Sequence, residues 1–158
     1  MSQKDIAKKF SHNFIYTFLT YDENYHRHSP LLSIYLSIFE KFNLNDFLIR
    51  FINLQIAPIC SIIFFKTLKI KFKNVNENYL FIFSLIFFLS PTVRSLAIWP
   101  DSRLFGFTLF IVSIYYFLLF EQQKLIKFAL LNTFFLAASS YLSPNFSIFS
   151  ILFLISYI

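Results

Sequence analysis

Ile6, Phe10, Phe14 and Phe18 recur every four residues through MSQKDIAKKFSHNFIYTFL, the spacing of one face of a helix, with Lys, Asp and His in between. The pattern predicts an amphipathic helix that either lies on a membrane surface or packs on a larger assembly. Residues 31 to 42, LLSIYLSIFEKF, form a second helical pattern that is too short to cross a bilayer. We expect it to lie flat in the interface, ending near Glu40 and Lys41. Beyond it the pattern changes. No residue is charged between Arg50 and Lys66, between Glu77 and Arg94, between Arg103 and Glu121, or after Lys127.

A bilayer core is about 30 Å thick and takes roughly 20 helical residues, fewer where flanking Lys and Arg reach back to the headgroups. The uncharged windows are slightly short but fit that range. In lipid every backbone N–H and C=O must be satisfied within the segment, so these windows predict helices. The expected spans are 47–65, 78–93, 104–120, 128–142 and 145–158. The expected fold class is therefore all-α: a polytopic transmembrane helix bundle with outer interfacial amphipathic helices. Residues 1–46 make the outer loop with its amphipathic helices, and 47–158 a bundle of about five helices that reads as truncated.

Charge sets the orientation. Lys66, Lys69, Lys71 and Lys73 cluster in one linker and Lys124 and Lys127 in another, and both belong in the cytoplasm by the positive-inside rule. The first outer loop, YDENYHRHSP, and the second, SPTVRSLAIWPDSR, then fall together on the opposite side. The net charge of +6 comes largely from these linkers, so it does not point to nucleic acid. The N-terminus lacks the unbroken apolar core and small-residue cleavage site of a signal peptide. Cys60 is the single cysteine, so no disulfide forms within the chain, and its mid-span position reads as a small buried apolar residue. Ser29-Pro30 reads as the cap and first turn of the 31–42 helix. Pro91 reads as the end of a span and the start of a loop, and Pro58 as a kink.

Polar chemistry concentrates in the two outer loops. Asp22 and Glu23 stand beside His26, Arg27 and His28 in the first; Arg94, Trp99, Asp101 and Arg103 occupy the second. Carboxylates at a membrane surface act as general bases or hold a divalent cation through oxygen, here Asp22 and Glu23, with His26 as a further ligand. Arginine pairs with phosphate through its fork of donors, and Trp99 either stacks on a sugar or anchors in the interface. The competing reading is that such loops are simply solvated. His26-x-His28 lacks a third fixed ligand, which favours the solvated reading for that pair. Gly106 is the only glycine, so there is no glycine-rich phosphate loop.

His28-Ser29-Pro30-Leu31-Leu32, opening a short amphipathic helix and followed by Arg50 at the head of a span, resembles the H-x-P-L stretch in the first outer loop of GT-C glycosyltransferases. That superfamily includes protein mannosyltransferases and the lipid A aminoarabinose transferase. FFLSPTVRSLAIWPDSRLFGFTLFIVSIYYFLLF is similar to their second motif region, and AASSYLSPNFSIFSILFL to a later helix pair of bacterial members. The resemblance implies sugar transfer from a polyprenyl-phosphate donor to an acceptor on the extracytoplasmic face of a bacterial inner membrane. It implies Asp22 or Glu23 as the first acidic motif and Asp101 as the second. The candidate substrate-binding residues are His28, Arg94, Arg103 and Trp99, with Arg94 a candidate for the donor phosphate that matches no family position. Two departures stand out. The family's first acidic pair follows a transmembrane helix and sits further ahead of the His-Pro stretch than Asp22 does. The family also has more spans, whereas this chain stops at SYI in mid-helix. The expectation is an N-terminal portion that is inactive by itself. The alternative is a non-catalytic polytopic membrane protein, a subunit or a transporter fragment. A transporter usually hides ionisable groups inside its spans, and here they lie in the loops.

Overall fold

The computed structural model describes residues 3–24 and 29–157. Every regular element among them is helical: α1 Gln3–His12, α2 Phe14–Leu19, α3 Leu31–Lys41, α4 Asp46–Leu54, α5 Ile56–Lys71, α6 Glu77–Leu89, α7 Pro91–Ile98, α8 Ser102–Gln123, α9 Ile126–Leu142 and α10 Phe149–Tyr157. Short 3-10 turns occupy Tyr21–Asn24 and Pro144–Phe146. The helices form two compact units, Met1–Ile52 and Asn53–Ile158.

In the first unit α1 packs against α3. Ile6, Phe10 and Tyr21 make its core, with Ile34 of α3 against them. The four-residue stripe read from the sequence does not form one helix. Asn13 interrupts it: its backbone is extended and its side chain accepts the Tyr16 N–H at 3.2 Å, capping a new helix, α2. Lys4 Nζ donates to Asp46 Oδ1 at 2.7 Å, which raises the Lys4 ammonium above the ordinary lysine range. The expected start of α3 also differs. Pro30 is the cap residue, no side chain caps the helix, and the buried Ser29 Oγ makes no hydrogen bond among the described residues.

Two helical segments are long and apolar enough to cross a membrane, Asp46–Lys71 and Ser102–Gln123. The Asp46–Lys71 run is interrupted at Gln55, where α4 gives way to α5. Pro58 explains the interruption, since it has no N–H to offer the Leu54 carbonyl. A third crossing is available if α6 and α7 count as one span, bent by 52°. The bend sits at Pro91, which does not open a loop as expected. Ser90 caps and Pro91 occupies the first turn of α7, which restarts the helix in a new direction. The α9 and Pro144–Tyr157 segments are apolar but shorter.

The second unit is built on the α8–α9 hairpin, whose only link is Lys124 and Leu125. Lys124 takes the left-handed conformation, φ 53°, that closes the end of α8. Small and polar residues line the contact. Ser139 Oγ donates to the Gly106 carbonyl at 2.8 Å, and Asn132 Nδ2 donates to the Ser113 carbonyl at 2.8 Å. Gly106 suits this close approach, because a Cβ there would lie 3.1 Å from Ser143 Cβ and 3.3 Å from the Ser139 carbonyl oxygen, tighter than ordinary contact. The Thr108 and Ser113 hydroxyls turn back onto the Leu104 and Phe110 carbonyls of their own helix, so no hydroxyl there is left without an acceptor. Ile56, Ala57, Ala97 and Leu104 form a second core where α5, α7 and α8 meet, and Cys60 is fully buried, as its mid-span position implied.

Candidate functional site: a charged corner between α7 and α8

The α7–α8 corner is held from behind by apolar packing. Ala97 is buried in the cluster with Ile56, Ala57 and Leu104, and Val93 and Leu96 pack on it. Arg94, about one turn before Ala97 at the edge of this packed face, is exposed. Trp99 ends α7 with its ring largely exposed, and Pro100 carries the chain into Asp101.

Asp101 is the N-cap of α8. Its Oδ1 accepts the Arg103 backbone N–H at 2.7 Å, which meets one of the unpaired donors of the first turn. The same carboxylate is gripped by the Arg103 side chain: Nε lies 3.0 Å from Oδ1 and 3.2 Å from Oδ2, and Nη2 lies 2.7 Å from Oδ2. The Asp101 side chain is 23% exposed and that of Arg103 is 70% exposed, so the carboxylate is set into the corner and the guanidinium covers it from outside. No salt bridge engages Arg94 among the described residues.

Asp22 and Glu23 belong to the first unit. They sit exposed on the 3-10 turn Tyr21–Asn24, which buried Tyr21 pins to Phe10 at 6.1 Å between ring centroids. His26 and His28 lie outside the described residues. No group of three or more metal-binding side chains forms among the described residues. The structure thus gathers Trp99, Asp101 and Arg103 at one corner, with Arg94 on the adjoining helix, and holds Asp22 and Glu23 together on another element.

Comparison with protein-family profiles, curated proteins and solved structures gives no match.

Two features escaped sequence reasoning. A cleft of ≈ 530 Å³ in the first unit is lined by Lys8, Ser11, His12, Glu40, Lys41 and Asn43. It depends on the packing of α1 against the end of α3, which no local pattern reveals. The second is a buried polar relay. Tyr157 Oη donates to Asn132 Oδ1 at 2.7 Å, and Asn132 in turn donates to Ser113, which ties α10 to α9 and α9 to α8. A signal was present here: Asn132 is an amide in the middle of an uncharged window, where polar groups need a partner.

Proposed function

We propose that the protein is an integral membrane protein of a bacterial plasma membrane and forms part of a GT-C-type glycosyltransferase, using a polyprenyl-phosphate sugar as donor. The observation that carries this reading is the Asp101 corner. A carboxylate set into the N-terminus of a membrane-length apolar helix stands with a guanidinium fork, with Arg94 on the adjoining α7 and Trp99 at its C-terminal end. Such a set has the parts needed to hold a phosphate, face a sugar ring and accept a proton. The sequence resemblance to the second acidic motif of the superfamily supports the same assignment.

In this reaction the carboxylate takes the proton of the acceptor hydroxyl while that oxygen bonds to the anomeric carbon. The bond from that carbon to the phosphate oxygen breaks, and the polyprenyl phosphate departs with the electron pair, so the configuration inverts. Both Asp101 oxygens are engaged by Arg103. A donor phosphate is also a strong bidentate partner for that fork, and Arg103 is exposed enough to turn toward it. Donor binding would then release Asp101 for its role. Asp22 and Glu23 are the remaining candidate carboxylates, as base or as ligands of a divalent cation. The sugar acceptor bears a nucleophilic hydroxyl.

The test uses membranes of the source cell carrying the intact gene, supplied with a radiolabelled polyprenyl-phosphate sugar. Asp101→Asn is the informative variant, because Asn caps a helix as well as Asp does but is neither a base nor an anionic ligand. Loss of transfer at unchanged protein level in Asp101→Asn, Asp22→Asn or Glu23→Gln supports the reading. Full transfer in all three refutes it. Unchanged transfer after gene deletion points to the non-catalytic membrane protein.

A further inference from the structure

We infer that α2, Phe14–Leu19, is a lipid-inserting wedge that anchors the first unit in the headgroup–acyl boundary of the bilayer, while α1 faces protein. The sequence stripe divides at Asn13. Ile6 and Phe10 are 0% and 2% exposed, whereas Phe14 and Phe18 are 51% and 49% exposed. Around them Ile15, Tyr16 and Leu19 are 72%, 64% and 77% exposed, and Thr17 alone in α2 is buried. Five large apolar or aromatic side chains on one helical turn and a half form a continuous bare surface that a water-facing domain does not usually present.

The occupant is lipid, for two reasons on this chain. The first unit runs without a linker through α4 into Asp46–Lys71, a segment long and apolar enough to cross a membrane, so its tether ends at the bilayer surface. The ends of α2 are polar: Lys8, Lys9 and His12 precede it and Asp22 and Glu23 follow. A segment that enters lipid and returns needs both flanks in water, with cations beside lipid phosphates on one of them. Six helical residues rise only about 9 Å, enough to reach the upper acyl region and not to cross. Tyr16 suits that depth, with its ring among apolar groups and its hydroxyl at the headgroups.

This inference rests on the membrane reading above but not on sugar transfer, so its test does not use activity. Trp99 is the sole tryptophan, and Trp99→Phe gives a background without indole. Phe18→Trp and Phe10→Trp are then compared in vesicles of phosphatidylcholine and phosphatidylglycerol, brominated either near the carbonyl or near the terminal methyl. We expect the Phe18→Trp emission to be blue-shifted and to fall by about half or more, with the shallow bromines quenching best. We expect the Phe10→Trp emission to be untouched by either lipid. Leu19→Trp and Tyr21→Trp repeat the contrast should either first variant fail to fold. Three results overturn the wedge: quenching of Phe18→Trp by aqueous iodide but not by bromine, which means solvent; protection from both, which means a protein partner or a second copy; and equal bromine quenching at both positions, which means one continuous interfacial helix. Flotation of the vesicles reports separately whether the protein is membrane-bound at all.

Discussion

Replacing Asn132 by Leu should loosen the second unit by an amount set by two hydrogen bonds. Asn132 is 1% exposed, donates to the Ser113 carbonyl at 2.8 Å and accepts from Tyr157 Oη at 2.7 Å. Leu is close in volume, so little cavity opens, and what is lost is polar. Hydrogen bonds between membrane helices average about 0.6 kcal/mol and reach about 1.7, because the separated helices also find partners. The expected cost is therefore about 1–2 kcal/mol for Asn132→Leu and about 0.6 kcal/mol for Tyr157→Phe, which breaks only the second bond. Since Tyr157→Phe removes nothing that Asn132→Leu has not already removed, the double variant should match Asn132→Leu, with a coupling of about 0.6 kcal/mol in the cycle. Reversible SDS titration of the detergent-solubilised protein, followed by far-ultraviolet circular dichroism, measures each value. A cost for Asn132→Leu below about 0.3 kcal/mol, the usual error of such cycles, would mean that the relay does not hold the three helices together.

Gly106→Leu should be worse than Asn132→Leu in the same titration, costing about 1–3 kcal/mol or more, since the new side chain starts 3.1 Å from Ser143 Cβ and pushes α8 from α9. Lys124→Gly should stabilise the hairpin by up to about 1 kcal/mol, because glycine takes the φ of 53° at the end of α8 without strain. Lys4→Met should shift the unfolding curve at neutral pH only slightly, because the pair is exposed. The pair with Asp46 is 52% and 63% exposed, and its contribution, complete below the ordinary lysine pKa, fades only as pH climbs through the raised value. In a Cys60→Ala background, Asp101→Cys and Lys124→Cys should react with an impermeant thiol reagent from opposite faces of sealed vesicles, and labelling from the same face would exclude α8 as a span.

The positions of the helices were legible because charge is excluded from their interiors. The uncharged windows 104–120 and 128–142 lie inside α8 and α9, which extend past them into polar residues. Direction changes were harder to read. Pro91 carries two opposite instructions, since it ends one helix by lacking an N–H and starts the next by its fixed φ. Only the apolar packing of Val93, Leu96 and Ala97 against α5 and α8 selects the second. Asn13 is a similar case. Its neighbours keep the helical period of four, but an Asn can trade its place in the helix for a cap, and the packing of Ile6 and Phe10 on α3 makes that trade favourable. The Asp101–Arg103 contact is close in sequence, and an acidic residue just before a long apolar helix is a readable cap signal. What the order of residues does not carry is the fork geometry, which follows from α8 starting at Ser102 and turning Arg103 back onto its own cap.

Register between α8 and α9 is the part that apolar pattern alone cannot specify. Both helices are apolar on nearly every side, so hydrophobic burial alone gives little preference for one rotation over another. The rare small and polar residues decide instead. Gly106 and Ser113 lie seven residues apart on α8, as do Asn132 and Ser139 on α9, which places each pair on one face two turns apart. In an antiparallel hairpin closed by Lys124 and Leu125, Gly106 then meets Ser139 when Ser113 meets Asn132, and both hydrogen bonds form together. Sliding one helix by a single residue would move both donors off their carbonyls at once. These two rungs set the rotation of α9, and through Tyr157 they also fix where α10 docks. A polar residue in such a segment is thus best read by looking for a second one seven residues away, and then for the matching pair on the neighbouring helix.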